Sequence, residues 1–175
     1  MDYPEITRGM VLRGAEVILS PTASAIFPED YNFDIPVVTT MTRRVRANEN
    51  TAYVLLSDLG PVGSDPTLSY GRRQPSQIID FKGNMLVGTK SGGIEFAVAN
   101  IDIDELRKVR TSLGKSGVLS HMQMALHRAT YNSIDIAPVD THVEAPLASL
   151  KEHNAVQRQT IEYLVGKGLL VPPGV

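Results

Sequence analysis

The first apolar positions of this chain recur at helical spacing and then stop at a glycine. Ile6, Met10 and Val11 share one helical face, and Pro4 suits the first position of a helix, where its missing N–H costs nothing. Gly14 can end the helix as a left-handed residue. The pattern therefore predicts a short amphipathic helix at the start of the sequence.

The next apolar runs predict two short strands with a longer helix between them. A strand over 16–19 ends at Ser20-Pro21, a helix covers about 37–50, and a buried strand covers 52–56. The stretches 22–36 and 60–70 contain proline and aspartate, and the second also contains glycine, so both are predicted to be loops.

The middle of the chain predicts a hairpin, a strand and a helix. Residues 77–81 and 85–87 are apolar runs separated by Lys82-Gly83-Asn84, as in a β-hairpin. Alternation over 94–101 predicts a half-buried strand, and an aspartate can cap the helix that continues through 110. The remaining tail predicts amphipathic helices over 120–131 and 147–165.

Composition places the chain among ordinary globular proteins. It has 175 residues, of which 42% are hydrophobic and 21% charged, with a net charge of −2. That charge provides no field to attract nucleic acid or an anionic membrane, and no run approaches the ~18 apolar residues of a membrane span. The chain contains no cysteine, so it can form neither a disulfide nor a thiolate metal site, and we expect a cytoplasmic location.

Four blocks in fixed order resemble the nitrilase (carbon-nitrogen hydrolase) superfamily over roughly two-thirds of the chain. Each block alone is weak, but chance would have to supply every spacing at once. The blocks are Tyr3-Pro4-Glu5-x-x-Arg8 with Gly14-Ala15-Glu16; Ile18-Leu19-Ser20-Pro21; Arg46-Ala47-x-Glu49-Asn50; and Ser76-x-Ile78-Ile79-Asp80-x-x-Gly83, closed by Ile101-Asp102 and Arg110.

The resemblance implies a fold and a position within it. Members are four-layer αββα sandwiches, usually paired through a symmetric interface. The implied fold class is α/β, with this chain supplying about the second half of one sandwich. Residues 1–110 would be the C-terminal part of the hydrolase domain, and 111–175 an extension that packs on the domain or across a dimer.

The resemblance also implies a chemistry. A cysteine thiolate attacks a carbonyl or nitrile carbon, a glutamate acts as general base, and a lysine stabilises the oxyanion. In the family all three precede the first block, the cysteine three residues ahead of the position of Met1, so none carries over to a residue here. We expect an internal methionine taken as a start, and hence a fragment that is inactive alone.

Candidate substrate contacts lie near the end of the first strand. Pockets form at strand ends of layered α/β sheets, which singles out Ser20, Thr22 and Ala23, with Tyr3 beside the expected nucleophile. Plain turn chemistry is the alternative for each of them.

A second group of residues is expected to be structural. Glu5 with Arg8, and Arg46 with Glu49, are spaced to form ion pairs on one helical face. Asn50 is expected to tie the end of its helix to the strand that follows.

The other polar candidates are weaker. His121 and His127 are six residues apart and face different ways on a helix, so we expect no metal site, and no cofactor is implied. Arg72-Arg73 in a loop could meet an acidic substrate group, although such a pair is usually just solvated.

Two functions therefore remain open. The first is a fragment of a hydrolase that acts on a small amide, nitrile or carbamoyl compound, in a homodimer or higher oligomer. The second is a non-catalytic interaction or assembly module with a nitrilase-like fold.

Overall fold

The computed structural model describes residues 3–22, 35–58, 76–89, 95–134, 136 and 142–173, with residues 35–40 as backbone only. It divides into two compact units, Met1–Met122 and Gln123–Val175. No helix among the described residues is long and apolar enough to cross a membrane.

The first unit contains α1 (Pro4–Leu12), β1 (Val17–Pro21), α2 (Ile35–Asn50), β2 (Tyr53–Ser57), β3 (Gln77–Ile79), β4 (Met85–Gly88), α3 (Ile103–Arg110) and a 3-10 turn (Val118–His121). The second contains α4 (Met124–Asn132) and α5 (Leu150–Gly166), and neither helix buries a residue. The predicted boundary at 110 concerns the family domain and stays a prediction; residues 111–122 lie in the first unit.

Helix α1 begins and ends as predicted, but a different face is buried. Pro4 is its first residue, and Gly14 has φ +99°. The Gly14 and Ala15 N–H groups donate to the carbonyls of Val11 and Met10, which makes a Schellman ending. Thr7 and Val11 face the core.

Of the three residues on the predicted apolar face of α1, only Val11 is buried. Ile6 and Met10 are 54% and 47% exposed. They lie about 100° around the helix from Thr7 and Val11, whose side is the one that the sheet covers.

Helix α2 ends in the same motif without a glycine. The Thr51 and Ala52 N–H groups donate to the carbonyls of Asn48 and Ala47, and Thr51 has φ +46°. A β-branched residue is strained in this region, so surrounding contacts must hold it there.

The four strands form one sheet in the order β1-β2-β3-β4. β1 pairs parallel with β2, and the other two pairings are antiparallel. α1 and α2 pack on one face, around a core of Val11, Ile18, Ala47, Ala52, Val54 and Ile79. α3 covers one end of the other face through Tyr53, Phe81 and Leu106.

The hairpin between β3 and β4 is confirmed, and its turn contacts α2. Asp80 Oδ1 accepts from the backbone N–H groups of Lys82 and Asn84, each at 2.8 Å. Gly83 has φ +85°, and its carbonyl accepts from Arg44 Nε at 2.7 Å.

Two predicted elements differ from the structure. Residues 95–100 form no strand, although Phe96 and Val98 alternate as predicted and are 93% and 81% exposed. Alternation supplies an apolar face, but a strand also needs a neighbouring strand to pair with. The predicted helix over 120–131 is interrupted at Met122-Gln123, between the 3-10 turn and α4. Most of the predicted loop over 22–36, and all of that over 60–70, lie outside the described residues.

Replacing Gly83 by Ala is predicted to destabilise the first unit by about 2 kcal/mol or more, because its φ is positive and a Cβ would lie 2.9 Å from the Arg44 carbonyl. Gly14→Ala is the matched control, since its φ is also positive but the surrounding space is open; we expect about 1 kcal/mol. Urea unfolding measures both. Equal losses would contradict the close approach to α2.

Candidate active-site edge

Two short helix-to-strand connections bring helix starts and strand ends together. α1 leads into β1 through residues 13–16, and α2 leads into β2 through 51–52. Each helix therefore runs back along its strand, and the two strands are parallel. The starts of α1 and α2 and the carboxyl ends of β1 and β2 lie at the same side of the sheet, called here the helix-start edge.

The helix-start edge has the electrostatics of an anion site. The first N–H groups of a helix point outward without intrahelical partners, and the aligned peptide dipoles place partial positive charge there. Two helices of 9 and 16 residues start at this edge. Such a position favours a thiolate, an oxyanion or a carboxylate.

The predicted substrate contacts differ in their exposure to solvent. Tyr3 is the N-cap of α1 and is 68% exposed, at the helix-start edge. Ser20 is buried, on the sheet face that α1 and α2 cover. The Thr22 N–H donates to the Ser57 carbonyl at 2.8 Å, and its buried Oγ1 finds no hydrogen-bond partner among the described residues. Ala23 lies outside the described residues. Their substrate roles stay predictions.

Three polar residues at this edge, Asp58, Ser76 and Gln77, were not among the predicted site residues. The Asp58 N–H donates to Ser76 Oγ at 3.0 Å, which joins the end of β2 to the start of β3. Gln77 is fully buried and lies in the cross-strand row of Ser20 and Leu56. A polar residue directly after a buried strand was the available signal for Asp58; nothing local in the sequence marks Gln77 as buried.

The expected structural residues make contacts within α2 and, for Arg8, a contact with a residue distant in sequence. Arg46 Nη1 lies 2.9 Å from Glu49 Oε1. Asn50 Nδ2 donates to the Arg46 carbonyl at 2.8 Å, so this contact stays within the last turn of α2 and does not reach the following strand as expected. Arg8 Nη1 lies 3.1 Å from Met122 Sδ, which connects α1 with the end of the 3-10 turn. Glu5 lies in the first turn of α1 and is exposed.

The opposite edge of the sheet is held by one arginine. Arg110 donates from Nε to the Thr51 carbonyl and from Nη2 to the Ala15 carbonyl, both at 2.8 Å. These carbonyls belong to the two helix-to-strand connections. We call this arrangement the Arg110 clamp. Burial lowers the pKa of Arg110 from its ordinary value, while the nearby Glu16 opposes that shift.

An exposed ion pair accompanies the clamp. Arg107 donates to both carboxylate oxygens of Glu16, at 2.9 and 3.0 Å. This hydrogen-bonded contact lowers the pKa of Glu16 and raises that of Arg107. Because the Glu16 pKa is lowered on folding, its contribution is present above the unfolded pKa and is lost as pH falls through the folded value.

The remaining polar candidates give no metal site. Among the residues that the structure describes, no group of three or more His, Cys, Asp or Glu side chains could hold a metal ion. His121 Nε2 lies 2.9 Å from the Gly114 carbonyl, and His127 is exposed on α4. Arg72 and Arg73 lie outside the described residues.

The known proteins that this chain resembles, in sequence and in fold, include carbon-nitrogen hydrolases. No family model matches the sequence. A rice (Oryza sativa subsp. japonica) protein described as N-carbamoylputrescine amidase is 27% identical over 121 residues, which are 64% of this chain and 38% of that protein.

Solved structures extend the likeness to the fold. A carbon-nitrogen hydrolase from Helicobacter pylori G27 matches with a TM-score of 0.60 and 23% identity, over 74% of this chain and 45% of its own. Nit3 of Saccharomyces cerevisiae, a member of branch 10 of the nitrilase superfamily, matches with a TM-score of 0.51 and 20% identity, over 70% and 40%. The matched region is thus less than half of each relative.

The described sheet and its helices therefore form part of a nitrilase-like α/β fold. The similarity to the carbon-nitrogen hydrolase (nitrilase) superfamily, inferred from the four sequence blocks, is confirmed for the matched part of the chain.

Replacing Arg110 by Lys is predicted to destabilise the first unit by about 1–3 kcal/mol, because a single ammonium cannot reproduce the guanidinium's two directed bonds to partly buried carbonyls. Arg107→Lys, on the same helix, should cost less than about 1 kcal/mol because its ion pair is exposed. Thermal or urea unfolding compares them. A larger loss for Arg107→Lys would exclude the clamp.

A cysteine at the helix-start edge is predicted to be acidic. In Tyr3→Cys the only thiol of the chain sits at the N-cap of α1, and its pKa should fall below the ~8.5 of an ordinary cysteine. Leu113→Cys, at a site 98% exposed in a turn, is the control. The pH dependence of iodoacetamide alkylation gives both pKa values. Identical values would show that this edge does not favour anions.

Proposed function

We propose that this chain contributes to a carbon-nitrogen hydrolase that acts on a small amide, nitrile or carbamoyl compound. The likeness to the rice amidase in sequence and to the H. pylori hydrolase in fold carries the proposal. Both proteins are named for carbon-nitrogen chemistry.

The geometry supports a thiol mechanism at that edge. A nucleophilic cysteine directly ahead of α1 would lie where the helix N-terminus lowers a thiol pKa. The thiolate would attack the substrate carbon, and the helix-start N–H groups would favour the negative charge that develops. Tyr3, Ser20, Thr22 and Ala23 are the proposed substrate contacts from this chain.

In this proposal the reacting groups come from polypeptide outside the present sequence. The chain contains no cysteine, and its resemblance to the family assigns the nucleophile, the general-base glutamate and the oxyanion lysine to positions ahead of the first block. The proposed assembly is a cytoplasmic homodimer or higher homo-oligomer.

A second candidate function is a non-catalytic assembly module with the same fold. One observation favours it: a sheet face of the first unit displays uncharged apolar residues, such as Leu19, which is 70% exposed. Such faces mark interaction surfaces.

The chain alone is predicted to release no ammonia above background from a panel of small amides, nitriles and carbamoyl compounds. The reading frame upstream of the Met1 codon is predicted to encode a cysteine three positions before Met1. The longer protein should then release ammonia, and Cys→Ala at that position should remove the activity.

Either of two results would contradict the proposed function. Turnover by the present chain would mean that its own residues carry the chemistry. A stop codon or unrelated frame directly upstream would remove the proposed source of the nucleophile and favour the assembly module.

A further inference from the structure

A polar layer separates the apolar core of the first unit from the helix-start edge. Helices α1 and α2 each run antiparallel to the strand that follows them, so four residues back along a helix, about 6 Å, match two residues forward along a strand, about 6.6 Å. This step leads from the core around Val11, Ala47 and Ile18 toward the helix-start edge. The residues reached are Thr7 on α1, Arg43 on α2, and Ser20, Leu56 and Gln77, which pair across β1, β2 and β3.

All five residues of this polar layer are buried. Their exposed fractions lie between 0% and 7%, and Arg43 is 4% exposed. Arg43 carries the only charge in the layer, since the other four residues are threonine, serine, leucine and glutamine. The layer itself therefore contains hydroxyl and amide oxygens but no carboxylate that would cancel the charge of the guanidinium.

The side chain of Arg43 extends toward the helix-start edge. Long side chains on a helix point back toward its N-terminus, which for α2 lies at that edge. Helices α1 and α2 pack against each other, and the axes of packed helices are about 8–10 Å apart. Tyr3, the N-cap of α1, lies about 6 Å along the helix axis from Thr7. These steps place the Arg43 guanidinium about 10 Å from the start of α1.

We propose that Arg43 is a buried cation that stabilises an anion, such as a thiolate, at the start of α1. Arg43 does not touch the reacting atoms in this arrangement, so it is a positioning residue that acts through its charge. The chemical use of that charge rests on the proposed hydrolase function, in which the nucleophilic thiol directly precedes α1.

Coulomb's law gives the size of the expected effect. At an effective dielectric constant of about 20, a unit charge about 10 Å away shifts the pKa of a thiol by about one unit. Because Arg43 is buried, salt screens its charge less than the charge of a surface residue.

Other charged groups near the start of α1 act in both directions. Glu5 lies in the first turn of α1 and is exposed, and Asp58 follows β2 and is half-buried. Both carboxylates oppose a thiolate, whereas Arg8, on the next turn of α1, favours it. The contribution of Arg43 is therefore measured as a difference between variants that keep all three of these groups.

The thiol of Tyr3→Cys tests the proposal on the full chain. Adding Arg43→Gln removes the charge and keeps a hydrogen-bonding side chain in the polar layer. The thiol pKa, measured from the pH dependence of iodoacetamide alkylation, should then rise by about one unit. Arg43→Lys keeps the charge and should leave the thiol pKa nearly unchanged. Arg43→Met is the second charge-removing variant, for use if Arg43→Gln does not fold.

Arg13→Gln is the matched control. It removes the same charge from an exposed position at the other end of α1, about 15 Å from Tyr3. Its effect on the thiol pKa should be much smaller and should vanish in about 1 M salt, whereas the effect of Arg43→Gln should persist. Circular dichroism establishes that each variant is folded.

Three results would overturn the proposal. An unchanged thiol pKa after removal of the Arg43 charge would mean that the helix starts act without it. Equal rises in Arg43→Gln and Arg13→Gln would reveal a general effect of net charge. A rise in Arg43→Lys as large as that in Arg43→Gln would trace the effect to packing. Ammonia release by the longer protein is measured separately, so failure of this proposal leaves the hydrolase proposal standing.

Discussion

The Arg110 clamp is the contact on which the arrangement of the first unit depends. One guanidinium joins the carbonyls of Ala15 and Thr51, which lie in the two helix-to-strand connections. Holding both connections at one edge fixes where α1 and α2 start at the other edge. The clamp also explains why Thr51 keeps a left-handed conformation that a β-branched residue disfavours: its carbonyl is bonded to Arg110, and its N–H completes the end of α2.

The Arg110 clamp at one edge of the sheet thus helps to position the two helix starts at the other edge. Parallel β1 and β2 carry Thr22 and Ser57 to the helix-start edge, where they are joined by a hydrogen bond. Two helix starts supply the positive end of their dipoles there. In the proposed hydrolase function, this electrostatic preference would stabilise a thiolate and an oxyanion.

Local signals predicted most elements of the sheet but not the long-range contacts. Gly14 and the Lys82-Gly83-Asn84 turn could be predicted because positive φ angles, as at Gly14 and Gly83, favour glycine. The buried side of α1 was misjudged because Ile6 and Met10 are apolar, while the sheet covers the neighbouring stripe that contains Thr7. The Arg110 bonds span 59 and 95 residues, and no local pattern specifies such partners. For the site, the sequence singled out Tyr3, Ser20 and Thr22, whose substrate roles stay predictions, whereas Asp58 and Gln77 emerged only from the strand pairing.

The parallel pairing of β1 with β2 is the claim that brings both helix starts to one edge, and it can be measured directly. Nuclear Overhauser contacts in the isotopically labelled chain should connect Val17 with Tyr53 and Leu19 with Leu55, advancing in the same direction along both strands. Contacts that advance in opposite directions, or strands that show no mutual contacts in folded protein, would contradict the account.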